Sequence, residues 1–166
     1  MASQSPRLGA RSRKVVLDPV FSVEFHTQPP LDFGQTPLGR RVVSYIAGGS
    51  FKGPRLAGEV LPGGADWVSV RRDGALILDV RATLRTEAGS LIEMTYGGRW
   101  ITPAANRAAI FDPVVGPEID PSTYALRTNP LFDTSATECL WLNDLVAIGF
   151  GRAVTGGVRY DVWSVP

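Results

Sequence analysis

The stretch from Asp73 to Tyr96 most constrains what this chain can fold into. Leu76, Leu78, Val80, Ala82 and Leu84 alternate with Asp79, Arg81, Thr83 and Arg85 over the later part of Ala75–Thr86. A helix would scatter the apolar set around its circumference, so the period of two predicts a strand with one buried face. Asp73-Gly74 just before it is a strong hairpin signal between two apolar runs. Glu87-Ala88-Gly89 just after it reverses the chain. A three-residue turn there sets Val80 opposite Tyr96, Ala82 opposite Met94 and Glu93 beside Thr83. A two-residue turn would put Glu93 beside Leu84. One step of register flips every side chain, so the three-residue turn is expected.

The rest of the chain reads as further short strands. Phe21, Val23 and Phe25 alternate with Ser22, Glu24 and His26, and Gln28-Pro29-Pro30 stops that run. Residues 31–38 read as a loop. Gly39 to Ala47 is a second strand candidate, and neither of its faces is uniformly polar. Gly48-Gly49, Gly53-Pro54 and Gly58 make helix very unfavourable, at about 1 kcal/mol for each interior Gly and about 3 for Pro. Arg55 to Leu61 reads as a strand, and Pro62-Gly63-Gly64 as a bend or bulge with positive φ. Gly97-Gly98 is expected to end the hairpin begun at Ala75. The proline-rich segment 99–122 reads as loop, with a short helix or turn at Ala104–Phe111. Further strand candidates are Tyr124–Thr128, bounded by Asn129-Pro130, then Cys139–Leu142, Leu145–Gly151 and Val158–Val165. Gly156-Gly157 is the last hairpin turn. Eight to ten short strands at this spacing predict an all-β sandwich or barrel, and no βαβ alternation or heptad appears.

A chain of 166 residues fits one domain, with residues 15–166 as the barrel. A net charge of +1 gives no global field for nucleic acid or an anionic membrane. No apolar run reaches the roughly 18–20 residues of a membrane helix. Cys139 is alone, so no disulfide or CxxC knuckle forms within the chain. That fits a reducing compartment, and a cytoplasmic protein is expected. Residues 1–14 carry Arg7, Arg11 and Arg13, no acid and no apolar core. They read as a flexible polar arm, weakly similar to a transit peptide.

The segments GGSFKGPRLAGEVLPGGADW, DGALILDVRATLRT, YALRTNPLFDTS and WLNDLVAIGFG together resemble an uncharacterised family, domain of unknown function 3237. The resemblance spans about residues 15–165. It implies an antiparallel, calycin- or lipocalin-like barrel with one interior cavity, found as a dimer or larger homo-oligomer. It implies no particular reaction. Glu87-Ala88-Gly89 departs from the family's usual acidic residue followed by Asp-Gly, which touches only a turn.

Few residues carry familiar chemistry. His26 is the only histidine, so a multi-histidine metal site cannot form, and its place among polar residues predicts a solvent-facing ring. Cys139, beside Leu140 and Trp141, reads as a small buried filler. AGGSFKG lacks the phosphate-loop pattern. Asp66 follows two glycines and precedes Trp67, which suits a carboxylate at a barrel rim, either as a general base or as a turn cap. Asp79, Arg81 and Glu93 form a polar set. Turned to the lumen it would orient a substrate; turned outward it is a surface ladder of little energetic consequence. Asn143 offers a hydrogen bond to a developing oxyanion, or is simply a turn residue. Tyr45, Tyr96, Tyr124, Trp67 and Trp141 could wall a pocket for a flat or apolar ligand, or pack the barrel in the ordinary way.

Three functions are compatible with these residues. The first is acid–base catalysis without a cofactor, of isomerase, cyclase, hydratase or lyase type, on a hydrophobic carbonyl-bearing substrate. Asp66 would be the base, Arg81 and Asn143 the oxyanion donors, and Tyr96 the acid or orienter. The second is a lipocalin-like binder of a small hydrophobic or aromatic ligand. The third is a structural oligomeric module with Asp79 and Arg81 at a subunit contact. No nucleic-acid or membrane partner is expected.

Overall fold

Ten strands make one antiparallel sheet that closes on itself in the computed structural model, which describes residues 15–112 and 114–166. The expected N-terminal arm lies outside the described residues. In chain order the strands are β1 (Asp18–Thr27), β2 (Leu31–Thr36), β3 (Gly39–Lys52), β4 (Ala57–Val60), β5 (Ala65–Val70), β6 (Leu76–Thr86), β7 (Leu91–Ile101), β8 (Ala125–Asp133), β9 (Val146–Val154) and β10 (Gly157–Val165). Neighbours run β1-β10-β9-β8-β7-β6-β4-β3, and β1 pairs back onto β3. β4 and β5 share one place between β3 and β6, so the barrel has eight staves. β2 is extra and pairs only the first half of β3.

The alternation that predicted β6 also sets its inside and outside. Leu78, Val80 and Leu84 are buried, whereas Asp79, Arg81 and Arg85 are exposed. The expected register holds: Val80 lies opposite Tyr96, Ala82 opposite Met94 and Thr83 opposite Glu93. The backbone N–H of Thr86 donates to the Ser90 carbonyl at 2.9 Å, closing the three-residue turn. Gly63 and Gly64, at φ +104° and +74°, break β4 from β5 as the Pro-Gly-Gly run predicted.

Several boundaries differ from expectation, each for a tertiary reason. Residues 31–36 form β2, because the long β3 offers them a hydrogen-bonding edge. β3 runs through Gly48-Gly49 without turning. Gly49 sits at φ +146°, and a Cβ there would lie 1.9 Å from the Glu24 carbonyl oxygen. The glycine therefore lets β1 press against β3 at the seam. Gly97-Gly98 does not end the β6–β7 hairpin, and β7 continues to Ile101. β8 passes through Asn129-Pro130, with Pro130 buried opposite Tyr96. Cys139–Leu142 lies in a short 3-10 helix, Thr137–Leu142, rather than a strand. The described residues of segment 102–124 include four single 3-10 turns, two of them within Ala104–Phe111.

One end of the barrel is filled. Phe21 packs against Phe51 and Phe132 with ring centroids 5.5 and 5.6 Å apart, and Leu84, Ile92 and Leu142 beside them are fully buried. Each such side chain stabilises the fold by roughly 1.5–3 kcal/mol. Cys139 is buried there too, and burial pushes its thiol up, away from a reactive thiolate. His26 faces solvent, 3.2 Å from Glu24. Gly49→Ala is expected to cost on the order of 2–4 kcal/mol in urea unfolding, from backbone strain and the clash at Glu24. Unchanged stability would show that the β1–β3 seam does not require close approach.

Candidate functional site

The other end of the barrel holds a cavity of about 300 Å³. That is the low end of ligand-sized pockets. Its depth is made by inward positions of neighbouring strands: Phe25 from β1, Leu78 and Val80 from β6, Tyr96 from β7 and Tyr160 from β10. The mouth opens where β1 stops at Gln28-Pro29-Pro30 and the β9–β10 hairpin turns at Thr155-Gly156. Ile110 and Pro117 cover part of it.

Asp66 is the ionisable group in the depth of this space. It lies opposite Ser44 of β3 and Val80 of β6, and all three line the cavity. β5 and β6 pair at Ala65–Asp66 and again at Ser69–Val70. Between these pairings the Asp79 N–H donates to Asp66 Oδ1 at 3.1 Å. The carboxyl thus holds a backbone donor in the sheet wall and stands opposite Ser44 in a cavity with a mostly apolar lining. Burial raises its pKa from 3.8 to about 7, against the lowering effect of the Asp79 N–H, and the Asp79 carboxylate adds a smaller rise. Both protonation states are then accessible near neutral pH, which is what proton transfer needs.

Two phenols share the cavity with it. Tyr96 and Tyr160 pack edge to face, centroids 5.4 Å apart, and Phe25 lies 6.1 Å from each. Burial drives both phenols above their ordinary range; Tyr160 raises its neighbour Tyr96 further, the charge of Asp66 raises both, and the hydrogen bond between the two hydroxyls raises Tyr96 while lowering Tyr160. They stay protonated and remain hydrogen-bond donors. The room for Tyr160 comes from β9, whose inward residues Ala147, Gly149, Gly151 and Ala153 are all small. A Cβ on Gly151 would stand 2.5 Å from the Tyr160 ring. Tyr160 did not figure in the sequence analysis, although Tyr160, Val162 and Ser164 alternate inward along β10.

Residues 15–165 match the family described as "Protein of unknown function (DUF3237)". The chain belongs to this family. A UPF0311 protein of Clostridium acetobutylicum is 33% identical over 124 residues, covering 74% of this chain and 77% of that protein. A solved "beta-barrel like protein" from Acinetobacter baumannii AYE superimposes with a TM-score of 0.79 at 29% identity, covering 94% of this chain and 99% of that one. A solved "enzyme from Penicillium herquei" shares the fold with a TM-score of 0.70 at 22% identity, covering 96% of this chain and all of that one.

In this DUF3237 chain the other sequence-predicted residues do not converge with Asp66 and Tyr96. Asp79, Arg81 and Glu93 point outward, because β6 and β7 turn their apolar faces in. Asn143 is exposed and fastened to Thr134: its Oδ1 accepts from the Thr134 N–H at 3.0 Å, and its Nδ2 donates to the Thr134 carbonyl at 2.9 Å. Tyr45 and Trp67 lie on the outer face, 42% and 36% exposed, since their neighbours Ser44 and Asp66 take the inward positions. Trp141 stacks under the Arg55 guanidinium at 3.8 Å. Tyr124 is buried, but its hydroxyl is occupied by the Ala153 N–H at 3.0 Å. Among the described residues, no group of three or more His, Cys, Asp or Glu is placed to hold a metal ion, and no helix is long and apolar enough to cross a membrane.

A raised carboxyl pKa has a thermodynamic signature. The folded chain holds the Asp66 proton more tightly than the unfolded chain does, so its contribution to stability falls as pH rises from about 4 to about 7. A displacement from 3.8 to about 7 corresponds to on the order of 4 kcal/mol. Urea unfolding of Asp66→Asn against the parent should therefore show the variant gaining relative stability, by up to about 4 kcal/mol, between about pH 4 and pH 8. A gap that does not change with pH would mean that Asp66 titrates like a solvated carboxyl.

Proposed function

We propose that this barrel is a small-molecule enzyme that works by proton transfer, of isomerase, cyclase, hydratase or lyase type, on a hydrophobic carbonyl-bearing substrate. One observation carries the reading: a desolvated carboxyl and two buried phenols converge in one apolar cavity. In its ionised form Asp66 takes a proton from the carbon next to the substrate carbonyl. The C–H electron pair becomes a C=C bond to the carbonyl carbon, and the carbonyl π pair moves onto the oxygen, which gains the negative charge. The hydroxyls of Tyr96 and Tyr160 donate to that oxygen. They replace Arg81 and Asn143 in the oxyanion role, since those two lie outside the cavity. Asp66 then returns the proton to the same or another carbon, or to a departing group. This chemistry asks only for a proton donor and acceptor of matched pKa in a dry site.

The apolar walls alone would serve a ligand carrier equally well. Burying a carboxyl at the expense of folding stability favours chemistry over carriage, because proton transfer uses both of its protonation states near pH 7 and carriage needs only one. The fold-level likeness to a solved fungal enzyme is compatible with this reading.

The test is exchange of α-protons of a bicyclic ketone such as tetralone in deuterium oxide, followed by NMR. The parent should accelerate exchange, with the rate rising through about pH 7 as Asp66 ionises. Asp66→Asn should lose at least about 100-fold, and Tyr96→Phe and Tyr160→Phe about 10-fold each. Arg81→Ala should stay within about two-fold, as for a surface residue. Exchange no faster than buffer, with tetralone demonstrably bound, would leave the carrier reading in its place.

A further inference from the structure

The cavity lining also bears on the charge of what enters. Among the described residues that line it, the side chains able to carry charge are Asp66 and Asp112, and none is Arg, Lys or His. Basic residues on the surrounding strands are committed elsewhere; Arg159, between the lining residues Val158 and Tyr160, lies 4.0 Å from Asp161. Arg81 lies on the outer face. Arg40 pairs with Asp32 at 2.6 Å, and Arg41 donates to the Ser69 hydroxyl at 2.8 Å. Asp112 sits at the mouth with Oδ1 held by the N–H groups of Val114 and Val115, which keeps its carboxyl below the ordinary range. The deep end therefore offers one carboxyl and two phenols, with the Ser44 residue opposite Asp66, and apolar side chains make up most of the remaining wall.

An anion entering this space would shed its water, find no cation and lie against a carboxylate. Burial of one unpaired ion costs several kcal/mol before any repulsion is counted. A carbonyl or hydroxyl oxygen meets donors instead: the phenols, and Asp66 when protonated. A cation would gain Asp66 as a partner, but the phenols would turn donors toward it.

We infer that the cavity selects uncharged ligands, with one oxygen function at the buried end and an apolar body reaching the mouth, and excludes carboxylates and phosphate esters. This deepens the proton-transfer reading and uses the same site. It also bears on the reaction that supplies the substrate, which must deliver it free of acid and phosphate groups.

Calorimetric titration of the full chain with three size-matched bicyclic probes tests this. They are tetralone, naphthoate and aminotetralin: neutral, anionic and cationic near pH 8. Tetralone should bind at least about 100-fold more tightly than naphthoate. Asp66→Asn should narrow that gap at least about 10-fold, because the repelling carboxylate is gone. The same gap in the parent should widen between about pH 6 and pH 8 as Asp66 ionises. That second measurement stands if the variant folds poorly. The titratable groups that act on Asp66 are Tyr96 from β7 and Tyr160 from β10, which share its cavity, and Asp79 from β6, which acts through the sheet. Asp79 is exposed on the outer face, and the phenols remain neutral through this range. Naphthoate or aminotetralin binding as tightly as tetralone, a gap indifferent to both Asp66→Asn and pH, or no tetralone binding at all would overturn the inference. Proton exchange is read separately, so a chain that discriminates by charge yet exchanges nothing would end the catalytic reading and leave the ligand class intact.

Discussion

The interior of this protein exists because β1 holds two neighbours at once. Residues 18–26 pair with β10, and residues 22–27 pair with β3, which turns an open sheet into a closed one. Closure depends on close backbone approach at Gly49, where no side chain fits beside the Glu24 carbonyl. It is also what brings Phe25 against both Tyr96 and Tyr160, residues far apart in the chain. Neither the aromatic cluster nor the cavity above it is a local structure. Both are consequences of the seam.

The two ends of the barrel then differ for geometric reasons. At the β6–β7 turn, phenylalanines and leucines from several strands fill the lumen. At the other end the staves are unequal in height. β3 carries on past the point where Pro29-Pro30 stops β1, and the β9–β10 hairpin has already turned back. Small residues on β9 let Tyr160 lie across that strand rather than fill the space. Asp66 faces this partly empty end, so its carboxyl loses water without gaining a cation. The site is a place where packing is withheld, and the raised pKa of Asp66 follows from that.

Much of the fold was legible because strand periodicity is a direct readout of sidedness. The alternation at 76–85 separated an apolar face from a polar one, and the β6–β7 register followed from matching two apolar faces across a turn. The hairpin at Asp73-Gly74 and the corner at Gly63-Gly64 were legible for the same kind of reason, since their backbone angles suit glycine. Boundaries were less legible. Gly97-Gly98 and Asn129-Pro130 have turn chemistry, yet both lie inside strands: the first is paired on both sides, by β6 and β8, and the second is held extended by β7. Residues 31–36 have a weak strand pattern and are ordered by the edge that β3 offers them.

For the site, the sequence by itself determined the candidates and put Asp79 and Arg81 on the side of β6 opposite to Leu78 and Val80, leaving open which side is the lumen. It also determined the family, through motifs that span the domain. Only the tertiary structure decided which carboxylate is desolvated, because Asp66 and Asp79 differ in solvation and not in chemistry. The barrel wall shields most of the first, and water surrounds the second. Only the tertiary structure, likewise, brought Tyr160 to Tyr96. Their meeting requires the last strand to pair with the first, and no local pattern of residues encodes a contact made by closing a ring.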